Sequence, residues 1–286
     1  MTLAQLQVFI TAAESGSFTR AADSLGYTQS AVSQMVNSLE KELGVQLFHR
    51  SRSGIATTGI GERMLSHARH ILQITSCMQQ EAASAQGLEE GVLRIGSIPS
   101  VAAKVLPSLI GSFRRRFPQV DIVLFEGEHE EIHNWITSSV VDVGFTSMPD
   151  KELHTIPLLW DEMRVILPDQ HSLKDEPFLT FSQIRDRCFI MPKDHSIKQL
   201  LRANGITPDV TFEVRDVTTI LAMVQEWIGV TIVPELYLPE VKPKVVALPL
   251  RPAIKRELVL VVRNLQSVSP ITAEFIVHSQ RYVSAA

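Results

Sequence analysis

The stretch SFTRAADSLGYTQSAVSQMVNSLEKEL, residues 17–43, contains two amphipathic segments separated by one short turn. In the first segment apolar residues recur at helical spacing up to Leu25, and in the second an apolar stripe runs from Val32 to Leu43. Gly26 lies between them, and glycine readily takes the left-handed conformation that ends a helix. The stretch therefore predicts two short helices joined by a tight turn, which is a helix-turn-helix unit.

The outer face of the second helix carries amides and hydroxyls where a solvated helix usually carries charge. Thr28 is a candidate N-cap at its start. With Val32 and Val36 turned inward, the predicted DNA-binding set of this helix is Thr28, Gln29, Ser30, Ser33, Gln34 and Asn37. Such side chains match the donors and acceptors of base edges in the major groove. A merely solvated face is the alternative, but its place at the start of the second helix favours DNA contact.

The residues after Gly44 predict a β-hairpin wing. Leu47 and Phe48 have strand character, and residues 50–54 resemble a turn that carries two cations. We expect these cations, Arg50 and Arg52, to reach the phosphates or the minor groove beside the recognition helix. The formal net charge of the chain is −4, and up to residue 61 four basic residues stand against four acidic ones. One such module contacts few phosphates, so we expect modules to bind in pairs.

A helix suited to pairing follows the wing. Apolar and small residues alternate in steps of four and three over about three heptads: Met64, Ala68, Ile71, Thr75, Met78, Ala82 and Ala85. This spacing predicts a dimerising helix. The alternative is an amphipathic helix that lies on its own domain.

These segments resemble the DNA-binding domain and linker helix of LysR-type transcriptional regulators. The resemblance is carried by residues 6–50, LQVFITAAESGSFTRAADSLGYTQSAVSQMVNSLEKELGVQLFHR, together with Thr58, Gly59 and Gly61. It implies a winged helix-turn-helix and dimers that bind an interrupted inverted repeat. One departure is Gln34, where members commonly have arginine.

Beyond residue 87 the pattern changes to strands that alternate with helices. Apolar strands at 92–95, 120–125 and 141–145 are separated by helical segments, and a second set begins at residue 161. This βαβ rhythm predicts a parallel sheet with right-handed crossovers. The arrangement also resembles the two-lobed, periplasmic-binding-protein-like α/β fold of LysR-type effector domains, which implies a small molecule bound between the lobes.

The expected division of the chain has three parts. They are a winged helix-turn-helix DNA-binding domain at 1–61, a dimerising linker helix at 62–87 and an effector-binding domain at 88–286, with lobe I at about 92–161 and 266–286 and lobe II at about 162–265. The overall fold class is α/β with an all-α N-terminal domain.

Effector contacts are expected beyond the carboxyl ends of the strands, near helix N-termini. Ser97 and Ser100 follow the first strand, and the resemblance implies contacts near Ser100. Further candidates lie at matching strand ends: His129, Thr146, Ser147, Asp194, His195 and Ser196. Helix capping for the serines and a structural role for the histidines are the alternatives. Because no arginine falls at the strand ends of the first lobe, the sequence favours a neutral or singly charged anionic effector.

Several protein classes receive no support from the sequence. The two cysteines, Cys77 and Cys188, have no ligand-spaced partners, so we expect buried or idle thiols, no zinc site and no cofactor. A redox switch between the two thiols is the alternative. The first twenty residues lack the features of a signal peptide, and no run of about 18 apolar residues occurs, which predicts a cytoplasmic protein without membrane contact.

The function predicted from these features is that of a LysR-type regulator, not an enzyme. Its expected partners are double-stranded DNA, RNA polymerase, a small-molecule effector and further copies of itself in a homodimer or homotetramer. An enzyme with accessory helices is one alternative, but the G-x-S-x-G, G-x-x-x-x-G-K-S/T and G-x-G-x-x-G motifs are missing. The solute-binding component of a transporter is another, and the helix-turn-helix counts against it.

Overall fold

The computed structural model of the protein describes residues 1–51, 54–86, 89–148, 150–239 and 244–285, and its N-terminal unit is built from three helices. Their bounds agree with the apolar spacing: α1 (Leu3–Ser15), α2 (Phe18–Leu25) and α3 (Gln29–Leu43). The predicted caps Ser17 and Thr28 accept backbone N–H groups in the first turns of α2 and α3. Gly26 takes φ 70° at the end of α2, which confirms the helix-turn-helix.

A two-stranded hairpin follows the helices, as predicted. It pairs β1 (Phe48–Ser51) with β2 (Gly54–Thr57) in antiparallel register. The place of Arg50 differs from the prediction, because it lies within β1 opposite Ile55 and not in the turn. Arg52, the second cation predicted for this wing, lies outside the described residues.

The long helix α4 (Gly59–Ala85) packs its first half on the N-terminal unit. Leu65 and Ala68 are buried in the same core cluster as the residues of α1 to α3. The predicted seam is therefore wrong at Ala68, because that position is already covered within the chain. Beyond it, large apolar side chains are exposed at helical spacing, at Ile71, Ile74 and Met78. Of these three exposed residues, Ile71 and Met78 belong to the predicted seam and Ile74 does not.

The C-terminal half alternates strands and helices. The strands are β3 (Gly91–Ser97), β4 (Val120–Glu126), β5 (Val143–Thr146), β6 (His154–Pro168), β7 (Leu179–Thr180), β8 (Phe189–Pro192), β9 (Val210–Val214), β10 (Thr231–Pro234), β11 (Val245–Arg251) and β12 (Lys255–Val262). The helices are α5 (Pro99–Lys104), α6 (Leu106–Arg116), α7 (His129–Thr137), α8 (Phe181–Ile184), α9 (His195–Ala203), α10 (Val217–Gln225) and α11 (Pro270–Ala285). The sequence pattern misses β7, α8 and β11, and it predicts only the C-terminal end of β6.

An eight-stranded sheet runs through both lobes in the order β4-β3-β5-β12-β6-β11-β7, with β10 also paired to β6. The predicted parallel pairing holds for β3 with β4 and β5, and for the separate pair β8 and β9. Within the large sheet β11 also pairs in parallel with β7. The prediction is wrong at β6 and β12, because β12 runs antiparallel to both β5 and β6, and β10 and β11 run antiparallel to β6. The long strands β6 and β12 connect the lobes: β6 leads from the first lobe to the second, and β12 leads back in the opposite direction.

Separate hydrophobic clusters lie in the two lobes. The first contains Phe113 and Phe145 together with residues 258–262 of β12 and the helix α11, and the largest cluster of the second surrounds Phe189. The domain boundaries expected from the sequence stay predictions, although packing places residues 258–262 with the first cluster. Among the described residues no helix is long and apolar enough to cross a membrane.

At Gly61 the start of α4 lies directly against the backbone of Leu47, so an added methyl group would clash with the Leu47 carbonyl oxygen. Gly59, in the same helical turn, has open space around it. We predict that Gly61→Ala lowers the free energy of unfolding by about 1–3 kcal/mol, the usual cost of overpacking. Gly59→Ala should leave it equal or slightly higher, because alanine favours helix. Urea unfolding followed by circular dichroism compares the two, and equal stabilities would contradict the close approach.

Candidate DNA-binding surface and interlobe polar cluster

The predicted DNA-contacting residues lie along one side of α3. Gln29, Ser30, Gln34 and Asn37 are exposed and Ser33 is half-buried. Of the predicted apolar stripe, Val32, Val36 and Leu39 are buried, but its last member, Leu43, is exposed at the end of the helix. The Thr28 hydroxyl accepts the backbone N–H of Ala31 at 3.2 Å and so holds the first turn of the helix. Among the described residues, this face of α3 therefore offers neutral hydrogen-bonding groups to a partner.

Arg50 joins the wing to α3 through side-chain contacts. Its guanidinium donates to Asn37 and, at 3.0 Å, to Glu40, and it lies 5.2 Å from the centre of the Phe18 ring. Glu40 also accepts the backbone N–H of Leu47 at 2.7 Å. The hairpin is thus fixed to the predicted recognition helix, while the Arg50 side chain stays 42% exposed.

On the side of the first lobe, His129 is the centre of the candidate effector site. It is the first residue of α7, and its Nδ1 lies 2.6 Å from the hydroxyl of Thr146, the last residue of β5. Its Nε2 lies 3.1 Å from the Ser196 hydroxyl of the second lobe and 3.5 Å from that of Ser147. One imidazole therefore connects the two lobes.

On the side of the second lobe, Asp194 holds the start of α9. Its Oδ1 accepts the backbone N–H and the hydroxyl of Ser196 at 2.8 and 2.6 Å. Its Oδ2 accepts the hydroxyl of Tyr237 at 2.8 Å. Sequence reasoning misses Tyr237, because it lies in a 3₁₀ turn after β10 with no motif to identify it.

The two connecting strands add a buried ion pair that the sequence pattern does not reveal. Nε and Nη2 of Arg256 in β12 donate to Asp161 Oδ2 in β6 at 3.0 and 2.9 Å, and Nη2 also donates to Ser100 at 3.0 Å. The guanidinium lies 5.4 Å from the centre of the Tyr237 ring. The expectation of a first-lobe site without arginine is therefore wrong, because a strand distant in sequence supplies one.

Six of the eight predicted effector residues meet in this interlobe polar cluster: Ser100, His129, Thr146, Ser147, Asp194 and Ser196. The other two lie apart. Ser97 is fully buried and its hydroxyl donates to the carbonyl oxygen of Ile98 at 3.1 Å. His195 is exposed on the first turn of α9 and lines a cavity beside the cluster.

Burial and charge determine the protonation of the cluster. Burial lowers the pKa of His129, although the nearby Asp194 carboxylate opposes that shift. Burial alone would raise the pKa of Asp194, but the hydrogen bonds from Ser196 and Tyr237 hold it below its usual value. With a neutral imidazole, the cluster has one guanidinium and two carboxylates, a net charge of about −1.

Cavities flank the cluster on several sides. One of about 690 Å³ is lined by Glu128, His129 and His195, among others. A second of about 540 Å³ includes Ser100 and Tyr237 in its lining, and a third of about 290 Å³ includes Ser196 and Arg256. Both lobes contribute to these walls, so a small molecule in the cleft would contact the two together.

Residues 129–133 read HEEIH, the H-E-x-x-H spacing of zinc proteases, so the sequence does contain one motif that is typical of an enzyme class. On α7 the two histidines are one turn apart and share a side of the helix. The structure does not assemble the protease site, because both ring nitrogens of His129 lie within hydrogen-bond distance of hydroxyls. His133 instead lies beside Asp150. The motif thus gives no support to a protease.

Comparison with known proteins gives consistent results along the chain. Residues 3–62 match the family model described as bacterial regulatory helix-turn-helix protein, lysR family, and residues 86–283 match that of the LysR substrate binding domain. The chain is 33% identical over 285 residues to the uncharacterized HTH-type transcriptional regulator YvbU of Bacillus subtilis, covering 96% of this chain and 97% of YvbU. It is 33% identical to the probable HTH-type transcriptional regulator LrrA of Synechococcus elongatus, covering 86% and 85%.

Solved structures show the same fold. A full-length OxyR variant from Pseudomonas aeruginosa has a TM-score of 0.84 at 24% identity, covering 100% of this chain and 96% of that one. Full-length CbnR in complex with its target DNA has a TM-score of 0.69 at 23% identity, covering 99% and 100%. The two-lobed fold and the helix-turn-helix are therefore confirmed.

The lowered pKa of His129 predicts a pH dependence of stability. Below the ordinary histidine pKa of 6.5, His129 is protonated in the unfolded chain but stays neutral in the folded chain. The free energy of unfolding should therefore fall as pH decreases. His171 and His278, whose pKa burial also lowers, add to the same slope.

The variant His129→Asn removes one of these contributions, so its stability should fall less than that of the wild type between pH 7.5 and 5.5. Unfolding in urea at several pH values measures the difference. His195→Asn, which removes an exposed imidazole outside the cluster, is the matched control. If His129→Asn kept the full wild-type slope, the assignment of a buried neutral His129 would be wrong.

Proposed function

The chain belongs to the LysR family of bacterial transcriptional regulators, and we propose that it binds an interrupted inverted repeat in double-stranded DNA and responds to a small-molecule effector held between its lobes. The observation that carries the proposal is the exposed, neutral, hydrogen-bonding face at the start of α3, next to a wing that carries Arg50. CbnR, which shares this fold, has been solved with its target DNA, and this supports the same use of the N-terminal unit.

The side chains of α3 and of the wing suit different parts of the DNA. Gln29, Ser33 and Gln34 offer amides and hydroxyls to base edges, where such groups discriminate between base pairs. Arg50 and Arg52 supply the charge that holds phosphates, which positions the protein without reading sequence. Since one module has few cations, affinity depends on two modules that bind together.

Pairing of two chains through α4 supplies the second module. Ile71, Ile74 and Met78 form an exposed apolar stripe on α4, with Met78 67% exposed in the single chain. An exposed stripe at helical spacing on a long helix is the kind of surface that a second identical helix covers. We infer a homodimer built on this stripe, and a homotetramer as the association of two such dimers.

The interlobe polar cluster is the proposed effector site. Arg256 is about 5% exposed, and its Nη1 has no hydrogen-bond partner among the described residues. A buried donor without an acceptor is costly, and an effector that presents an acceptor group near Ser100 and Arg256 would remove that cost. His129, Asp194 and Ser196 would then sense the same molecule from both lobes.

A short path connects this site to the linker helix. Thr146 of the cluster ends β5, and Asp142 immediately precedes that strand. Asp142 Oδ1 accepts the side-chain amide of Gln73 in α4 at 3.0 Å, while Oδ2 accepts the backbone N–H of Arg94 at 2.8 Å. An effector that prefers one placement of β5 would thereby bias the position of α4, since a ligand shifts an equilibrium only by its differential affinity.

The remaining parts of the proposal rest on the family. A regulator of this kind acts in the cytoplasm, where it meets the chromosome and contacts RNA polymerase at promoters. The family consists of transcriptional regulators, and we propose no catalytic activity for this chain.

DNA binding by variants tests the proposed roles on α3 and the wing. Gln29→Ala should reduce the preference for the specific operator over random DNA by about 1–3 kcal/mol per half-site, with little change in binding to random DNA. Arg50→Ala should weaken both kinds of DNA alike and reduce the salt slope by about 1 for each phosphate that the side chain no longer neutralises. Fluorescence anisotropy at several salt concentrations measures both. Equal effects of the two substitutions on specificity would contradict the division.

Sedimentation of an α4 variant tests the proposed dimer. Burial of one Ile74 side chain contributes roughly 1.5–3 kcal/mol, and Ile74→Glu removes two copies, so the dimer dissociation constant should rise about 100-fold or more. Ser84→Glu adds the same charge at an exposed position on another face of α4 and should leave the dimer intact. If both variants sediment as the wild type does, the stripe is not the interface.

A further inference from the structure

Three potential metal ligands meet on the first lobe, beside the mouth of the cleft. His133 lies on α7, and Asp150 and Glu152 lie on the segment between β5 and β6. One donor atom from each side chain falls within 4.8 Å of the others. His133 and Asp150 also line the cavity of about 690 Å³ beside the interlobe polar cluster. Sequence spacing does not reveal this group, because its members are separated along the chain and only His133 belongs to a motif.

The spacing of two of these donors matches that of ligands on one ion. His133 Nε2 lies 3.4 Å from Asp150 Oδ2. Zinc binds nitrogen at about 2.0–2.1 Å and carboxylate oxygen at about 2.0–2.2 Å, so two such ligands at a tetrahedral angle lie about 3.4 Å apart. The side chains thus already have the separation that an ion between them requires.

The imidazole of His133 supplies a second observation. Its side chain is 30% exposed, but its Nε2 is inaccessible to solvent and has no hydrogen-bond partner among the described residues, although it lies within ion-pair distance of Asp150. A nitrogen that is withdrawn from water and turned toward a carboxylate without a hydrogen bond is suited to donate its lone pair to a cation. Asp150 is held in place from its other oxygen, where Oδ1 accepts the backbone N–H of Glu152 at 2.8 Å.

We propose that His133, Asp150 and Glu152 bind a divalent first-row transition-metal ion, with Zn²⁺ as the reference case. One imidazole and two carboxylates form a ligand set for such ions, and three protein ligands leave a fourth position for water. His129 does not take part, because Thr146 and Ser196 occupy its ring nitrogens.

A bound ion would connect α7 to the segment that follows β5. These two elements also carry His129 and Ser147 of the interlobe polar cluster, so the ion would stiffen the first-lobe wall of the cleft. The metal site does not depend on DNA binding or on the effector, and it can exist whether or not the proposed function is right.

Calorimetric titration of the full-length chain tests the site. The protein is stripped with a chelator and titrated with Zn²⁺, and we expect one equivalent per chain to bind more tightly than any further ions. Loss of an outer-shell partner typically weakens metal binding about 10- to 100-fold, so loss of a direct ligand in His133→Ala or Glu152→Gln should weaken this equivalent at least about tenfold. His154→Ala, which removes an exposed histidine two positions beyond Glu152, is the matched control and should bind as the wild type does.

If His133→Ala does not fold, Glu152→Gln still tests the site. Glu152 is exposed, so this substitution should leave the fold intact, and circular dichroism of the variant verifies that it does. Titration with Co²⁺ gives a spectroscopic check, because the visible absorption bands of a bound ion should disappear in both ligand variants. If the wild type bound Zn²⁺ no more tightly than His133→Ala and Glu152→Gln, the proposed site would be refuted.

Discussion

The buried ion pair between Arg256 and Asp161 is the constraint around which the C-terminal half is organised. The two residues are directly opposite in the antiparallel pairing of β12 with β6, and their side chains are 4% and 1% exposed. Removal of one partner from such a pair typically costs about 3–5 kcal/mol, because the other charge is left buried. The pair therefore fixes the register of the two strands that join the lobes, and it places Ser100 and Tyr237 against the same guanidinium.

Buried polar groups between the lobes need hydrogen-bond partners, and a bound effector would change which partners they have. His129, Asp194 and Ser196 satisfy one another across the cleft in this chain, so an effector that enters must replace those contacts with its own. In the proposed function, β5 would couple the effector site to the linker helix, because Thr146 at one end contacts His129 and Asp142 at the other end contacts Gln73. At the other end, Arg69 of α4 contacts Glu14 of α1 at 3.0 Å, so the linker helix is also attached to the DNA-binding unit.

The sequence predicts local features well and contacts between distant segments poorly. Caps and glycines locate α1, α2 and α3 because each signal lies within a few residues of the helix that it ends. Four of the six predicted effector residues that meet lie in the first lobe, where the parallel strands β3, β4 and β5 end at a common edge. The other two, Asp194 and Ser196, follow β8, which belongs to a separate sheet in the second lobe. Arg256 and Tyr237 escape prediction, because strand crossover and not sequence spacing brings them to the cleft. The antiparallel return of β12 is missed for the same reason, since a βαβ rhythm indicates direction only within each lobe.

The central claim is that this chain recognises specific DNA as a paired helix-turn-helix protein. Selection of bound fragments from a genomic DNA pool by the purified full-length protein, followed by sequencing, tests it most directly. We predict enrichment of an interrupted inverted repeat whose half-sites are separated by about one helical turn, roughly 10 base pairs, or a multiple of it. Fragments retained at low salt without any shared sequence, or no retention at all, would contradict the claim.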